Sequence, residues 1–174
     1  LDPHTTLVSS GALGDKDASS RTLTLKLANG SSKDITLTSD QTSLTGLRDA
    51  INGANAGVSA SIIKTGEGAY RLSLTSSTAG ESNAITSVSV TGDSQLQSII
   101  GFDKTDTAAS ALEVSVPAQD AKLTVNNVPI TSSTNTISDA LEGITLNLND
   151  VTSGNQSLTI TQDSSKATNA ITSF

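Results

Sequence analysis

TLTLKLANGSSKDITLTSDQTSLTGLRDAINGAN, residues 22–55, holds two different hydrophobic periods side by side. In TLTLKL every second residue is leucine, so Leu23, Leu25 and Leu27 share one face of a strand. Asn29 and Gly30 supply a turn, and DITLT returns as a second strand through Ile35 and Leu37. The spacing then changes: Leu44, Leu47, Ile51 and Ala54 follow at i, i+3, i+7 and i+10, the stripe of an amphipathic helix. Ser43 is its expected N-cap and Gly53 or Gly57 its stop. Gly46 inside the helix costs about 1 kcal/mol relative to alanine, so packing against a sheet must hold the helix in place.

Downstream, VSASIIK and YRLSLTS read as strands joined at TGEG, with Tyr70, Leu72 and Leu74 on one face and Arg71, Ser73 and Thr75 on the other. A strand at AITSVSV and a short helix at DSQLQSIIG, apolar at Leu96, Ile99 and Ile100 and stopped by Gly101, complete a first section. DKTDTAAS, residues 103–110, has no apolar side chain larger than alanine and reads as a linker or domain crossing. A second section then predicts strands at EVSV and at AKLTV, the latter with Ala121, Leu123 and Val125 inward. Asn126 and Asn127 turn the chain into VPI, where Pro129 suits an edge or a strand end. TISDALEG predicts a short helix, with Ile137, Ala140 and Leu141 on one face, Thr136 and Asp139 as a capping pair and Gly143 as terminator; ITLNL and SLTIT follow as strands. The order of elements in the two sections is similar, LRDAI (47–51) corresponding to ISDAL (137–141). The fold class is therefore α+β, mostly β: two small antiparallel β-rich domains, each with one or two short helices.

Composition limits what such a molecule can do. Leu, Ile, Val and Phe make up 41 of 174 residues, above the roughly 20 % below which chains stay disordered, so a core can form. Ser and Thr account for 53 residues, in keeping with strands and turns. A net charge of -7 and only 2 % aromatic residues exclude the basic surface and stacking platforms of a nucleic-acid binder. Cysteine is absent, so no disulfide or thiolate chemistry is available. There is neither a membrane span nor a signal peptide in the sequence given.

The residue types able to do chemistry are scattered. His4 is the only histidine, without a second ligand or a nucleophile to serve, and reads as a solvated terminal residue. No serine lies in a G-x-S-x-G elbow. Glu67, Glu81 and Glu142 sit at a hairpin tip, in a loop and beside a helix end, and with Tyr70 as the one Tyr and no Trp a sugar cleft is hard to build. Asp15 with Asp17, and Asp103 with Asp106, could offer oxygen ligands to Ca²⁺ but lack the ordered ligands and closing glutamate of an EF-hand loop. TGEG lacks the lysine and helix start of a phosphate loop. No catalytic, metal-binding or cofactor-binding residue is assigned, no cofactor is expected, and the chain reads as a non-enzyme.

AQDAKLTVNNVPITSSTNTISDALEGITLNLNDVTSGNQSLTITQDSSKATNAITSF resembles the flagellar hook-associated protein 2 family, the filament cap proteins. SLTGLRDAINGANAGVSASIIKTGEGAYRLSLTSSTAGESNAI is similar to the inserted outer domain of that family, with a related pattern in flagellins. The likeness is most specific at NTISDALEGITL and weakest over residues 1–20. It implies a discontinuous middle domain of residues 1–16 and 108–174, with residues 17–107 as an inserted outer domain. SKATNAITSF, with Ala167, Ala170, Ile171 and Phe174 at helical spacing, then looks like the start of a helix of the filament core, and the chain like a fragment. The resemblance also implies an extracellular structural and assembly role at the flagellum tip: a ring formed by self-association in the full-length protein, which retains exported flagellin subunits and promotes their folding and insertion. Nucleic acid and membrane are not expected partners. The alternative is an adhesin-like module of a bacterial surface protein that meets a host surface ligand.

Overall fold

In the computed structural model, residues 2–3 and 11–161 are described; His4 and the predicted helix at residues 165–174 lie outside them. The alternating leucines form β2 (Arg21–Leu27), which pairs antiparallel with β3 (Ser32–Leu37) and with β6 (Ile85–Thr91). A two-residue β7 (Phe102–Asp103) extends the other edge of β6, so the sheet runs β3-β2-β6-β7. Leu23 stands opposite Ile35 and Val90, and Leu25 opposite Lys33 and Val88. That register sets Leu23, Leu25, Val88 and Val90 on one inner face, all buried.

Onto this face fold α1 (Leu44–Gly53), α2 (Ser94–Ile100) and the hairpin of β4 (Val58–Gly66) with β5 (Ala69–Ser76). Leu44, Leu47 and Ile51 of α1, Leu96 and Ile100 of α2, and Leu72 and Leu74 of β5 join one core. Each such leucine or isoleucine contributes about 1.5–3 kcal/mol by leaving water, which is what holds two helices too short to persist alone. Ser43 caps α1 as expected, its hydroxyl accepting the Gly46 N–H at 3.1 Å. Gly46 is no mere concession: a Cβ there would lie 2.6 Å from Gln41 Cα, because the 3-10 turn of Ser39–Thr42 crosses directly over it.

The stretch at residues 103–110 is not a free linker. Asp103 belongs to β7, and the loop after it closes on itself: the Ser110 hydroxyl accepts the Asp103 N–H at 2.9 Å, and the Ala111 N–H reaches Gly101 O at 2.8 Å. The chain thus returns to the core, where Leu112 is fully buried, and β8 (Leu112–Glu113) pairs with β1 (Asp2–Pro3). Leu13 packs on the same core.

Three expectations for the second section need correction. The EVSV strand shrinks to residues 112–113; Val114 and Val116 are exposed, with no ladder partner for either in the described sheets. The helix expected at TISDALEG is a strand, β11 (Thr136–Leu141), in a hairpin with β12 (Ile144–Asn147). Three apolar residues over little more than one turn cannot nucleate a helix. β-branched Thr136 and Ile137 favour extended backbone, and Gly143 at φ +73° makes Glu142-Gly143 a two-residue hairpin turn. The Thr136 hydroxyl, expected to cap a helix, instead meets Asn147 Oδ1 across the pair at 3.0 Å. Between Ile137 and Leu141 the register shifts, residues 138–140 standing against the single residue 145, and the side chain fully buried here is Ile137, with Leu141 half-buried. Finally, SLTIT at residues 157–161 takes no part in a sheet, and Leu158 and Ile160 are exposed.

β9 (Ala121–Val125) and β10 (Val128–Ser132) pair as expected about Asn126 and Asn127, both at positive φ, with Ala121, Leu123 and Val125 half-buried. The architecture is mostly β, with several small antiparallel sheets and two helices, both within the first section among the described residues.

Candidate functional site

The carboxylates singled out in the sequence do not converge. Glu67, Glu81 and Glu142 are exposed on three separate turns. Asp15 Oδ1 accepts the Asp17 N–H at 2.9 Å, and Asp103 Oδ1 accepts both the N–H and the hydroxyl of Thr105. Those two contacts, the hydroxyl first, hold the Asp103 carboxyl below the usual carboxylate range. Asp106 Oδ1 accepts the Ala109 N–H at 3.3 Å. Each of these aspartates shapes its own loop, with oxygen lone pairs taken by backbone donors rather than aimed at a common point. Among the described residues no three His, Asp or Glu side chains come close enough to hold a metal ion. In TGEG, Gly68 at φ +70° makes the β4–β5 turn.

The sequence reading missed the two charged side chains that are buried among the described residues. Arg21, first residue of β2, and Asp93, N-cap of α2, are 72 positions apart and meet through Arg21 Nε and Asp93 Oδ2 at 2.9 Å, their side chains 2 % and 0 % exposed. Asp93 Oδ1 accepts the Leu96 N–H and Oδ2 the Asp15 N–H, both at 2.9 Å, and the Arg21 guanidinium also donates to Asp15 O at 2.5 Å. Burial works against the Asp93 charge, but the Leu96 and Asp15 N–H groups and the guanidinium outweigh it and keep the carboxyl below its ordinary range. Gly14 lets the chain pass: a Cβ there would sit 2.4 Å from Asp93 Oδ2. This node ties residues 14–21 to α2 and leaves no open side for a substrate. A legible signal was there, since Asp directly before an apolar helical stripe is an N-cap; its arginine partner was not legible, because the pairing is long-range.

What the surface does offer is a groove of about 860 Å³, with Ile63, Leu74, Ile85, Phe102, Val114 and Val116 as the larger apolar residues of its lining. Ile63 and Val114 are each 45 % exposed and Val116 84 %. Its lining also carries Ser73, Thr75, Thr78, Glu81, Lys104 and Gln119, so apolar and polar side chains are mixed along it, with one acidic and one basic group among them. At its rim the Glu81 N–H donates to Asp120 Oδ1 at 2.8 Å, and Gly80 at φ +102° lies against Ser133, where a Cβ would come within 2.6 Å of the Ser133 Cβ. The first section and the β9–β12 hairpins meet at this contact.

Comparison with known proteins returns two families in succession along the chain. A family described as flagellin hook IN motif matches residues 22–78, and one described as flagellar hook-associated protein 2 C-terminus matches residues 118–174. The flagellar hook-associated protein 2 of Escherichia coli K12 is 59 % identical over 150 residues, covering 84 % of this chain and 32 % of that protein. The chain therefore spans about a third of the length of the curated relatives it matches. The crystal structure of the D1-D2-D3 domains of the E. coli flagellar cap protein FliD superposes with a TM-score of 0.89 at 53 % identity, over 98 % of this chain and 47 % of that one. The D2-D3 structure from the same organism gives 0.85 at 51 % identity, over 93 % and 81 %.

Proposed function

The chain belongs to the flagellar hook-associated protein 2 family, and from that premise we propose that it forms the outward lobes of a filament cap at the tip of a bacterial flagellum. In this reading the full-length protein associates with copies of itself into a ring outside the cell, retains exported flagellin subunits, and promotes their folding and insertion. It makes and breaks no bond; the work comes from binding energy and from confining a subunit that would otherwise diffuse away. The observation that carries the proposal is the match of 93 % of the chain to the D2-D3 domains of a flagellar cap protein at 51 % identity. The relatives named above are all flagellar, which favours the cap over an adhesin-like module.

The division into a middle domain of residues 1–16 and 108–174 and an inserted outer domain of residues 17–107 is part of the same proposal. Pairing of β1 with β8 supports the idea that the chain leaves and returns at neighbouring points. Complementation of a cap-deficient strain with the full-length gene tests the function: flagellin should stay on the cell as filament. Leakage of flagellin into the medium, with the protein expressed and exported, would overturn it.

A further inference from the structure

The chain contains two Asn-Gly steps, Asn29–Gly30 and Asn52–Gly53, and both asparagines are exposed. Such a step carries its own reaction. The glycine nitrogen attacks the asparagine Cγ while its proton passes to solvent base; the Cγ–Nδ2 bond breaks, ammonia leaves, and a five-membered succinimide remains. Water then adds to either ring carbonyl, giving aspartate or isoaspartate, so that asparagine and water yield an aspartyl residue and ammonia without any oxidant. Glycine favours the step because no side chain shields its nitrogen or restrains its backbone.

Exposure does not distinguish the two sites; backbone and carboxamide contacts do. Asn29 lies in the loop between β2 and β3. Its Oδ1 accepts the Ser31 N–H at 2.8 Å, a contact confined to the same loop rather than made to another element. Its Nδ2 has one long contact, 3.3 Å to Asn83 Oδ1. Gly30 sits at φ +89° with open space where a Cβ would be, and ring closure there has to release the turn's own bond from Gly30 N–H to Leu27 O, 3.1 Å long. Asn52 lies in α1, and its carboxamide is clamped at both ends on another element: Oδ1 accepts the Ala60 N–H at 2.7 Å and Nδ2 donates to Ala60 O at 2.9 Å. Ring closure there must release both bonds and unwind the end of the helix.

We propose that Asn29 is a spontaneous deamidation site of the folded chain, yielding aspartate and isoaspartate, and that Asn52, with the same dipeptide, is protected by its clamp on Ala60. Conversion replaces the Nδ2 donor by a carboxylate oxygen facing Asn83, which removes the link between the β2–β3 loop and the turn at Glu81–Asn83. The isoaspartyl form also adds a methylene to the main chain inside the turn closed by Gly30 N–H to Leu27 O.

The test is incubation of the full chain at mildly alkaline pH, followed by acidic digestion and peptide mapping by mass spectrometry. The Asn29 peptide should shift in mass and resolve into aspartyl and isoaspartyl forms while the Asn52 peptide stays unchanged; Asn29→Gln should abolish the change. In denaturant both peptides should convert. An Asn29 peptide that stays intact in the folded chain while the denatured control converts would overturn the site. Conversion of Asn52 as fast as Asn29 in the folded chain, or its failure to convert in denaturant, would overturn the clamp.

Discussion

Gly46 occupies the middle of a helix, where alanine is ordinarily better by about 1 kcal/mol. Here the 3-10 turn above it leaves no room for a methyl group, so Gly46→Ala should lower stability by about 1–3 kcal/mol, read as a drop in melting temperature. The Arg21–Asp93 pair makes a second prediction at this scale. Asp93→Ala leaves a buried guanidinium without its partner and should cost about 3–5 kcal/mol in a urea melt near neutral pH. Because the Asp93 carboxyl is held below its unfolded value, the unfolded chain binds the proton first as pH falls. Its contribution is therefore complete above the unfolded pKa near 4 and fades as pH drops through the lower folded value. Urea melts at descending pH should show that loss in the parent chain and a shallower one in Asp93→Asn. Both residues stand plainly in the sequence, yet neither role does. One depends on which turn crosses the helix, the other on a partner 72 positions away.

At the scale of elements, LRDAI and ISDAL share a pattern and fold differently. The first has Ser43 as a cap, the 3-10 turn behind it and a sheet face to bury Leu47 and Ile51. The second is flanked by β-branched residues and by Gly143 at φ +73°, and it pairs with Ile144–Asn147 instead. At φ +73° in the two-residue turn a left-handed backbone is required, so Gly143→Asn should be tolerated and Gly143→Val should destabilise by about 1–2 kcal/mol. Amide exchange at Leu141 and Ile144, the pair that closes the hairpin, distinguishes the two variants. Likewise Ile137→Asp should disrupt this hairpin far more than Leu141→Asp, since Ile137 is 2 % exposed and Leu141 half-buried. Periodicity served well for β2, β3, α1, β4, β5, β6 and α2, each long enough for its stripe to be unambiguous. It failed at residues 114–116, 136–142 and 157–161, where a few apolar residues fit more than one backbone and only a pairing partner decides.

For the whole molecule, the two sections differ in how they are held. Residues 21–112 share one core, whereas among the described residues of 118–161 Ile137 is the one fully buried apolar side chain. Two-stranded hairpins are marginal by themselves, so the contacts of Gly80 with Ser133 and of Glu81 with Asp120 should matter for their placement. Gly80→Val should leave the melting of the main core nearly unchanged yet speed amide exchange across residues 118–133; unchanged exchange there would show the contact to be incidental. By itself the sequence determined the mostly β class, the strands and helices of residues 21–101, the acidic character, and the absence of thiol chemistry, because these follow from period and composition, which are local. The tertiary structure alone decided that a helical-looking motif becomes a strand, that the stretch after Phe102 turns back onto the core, and that an arginine and an aspartate far apart in sequence are buried together. Those outcomes turn on which surfaces meet, and a linear pattern carries no record of that.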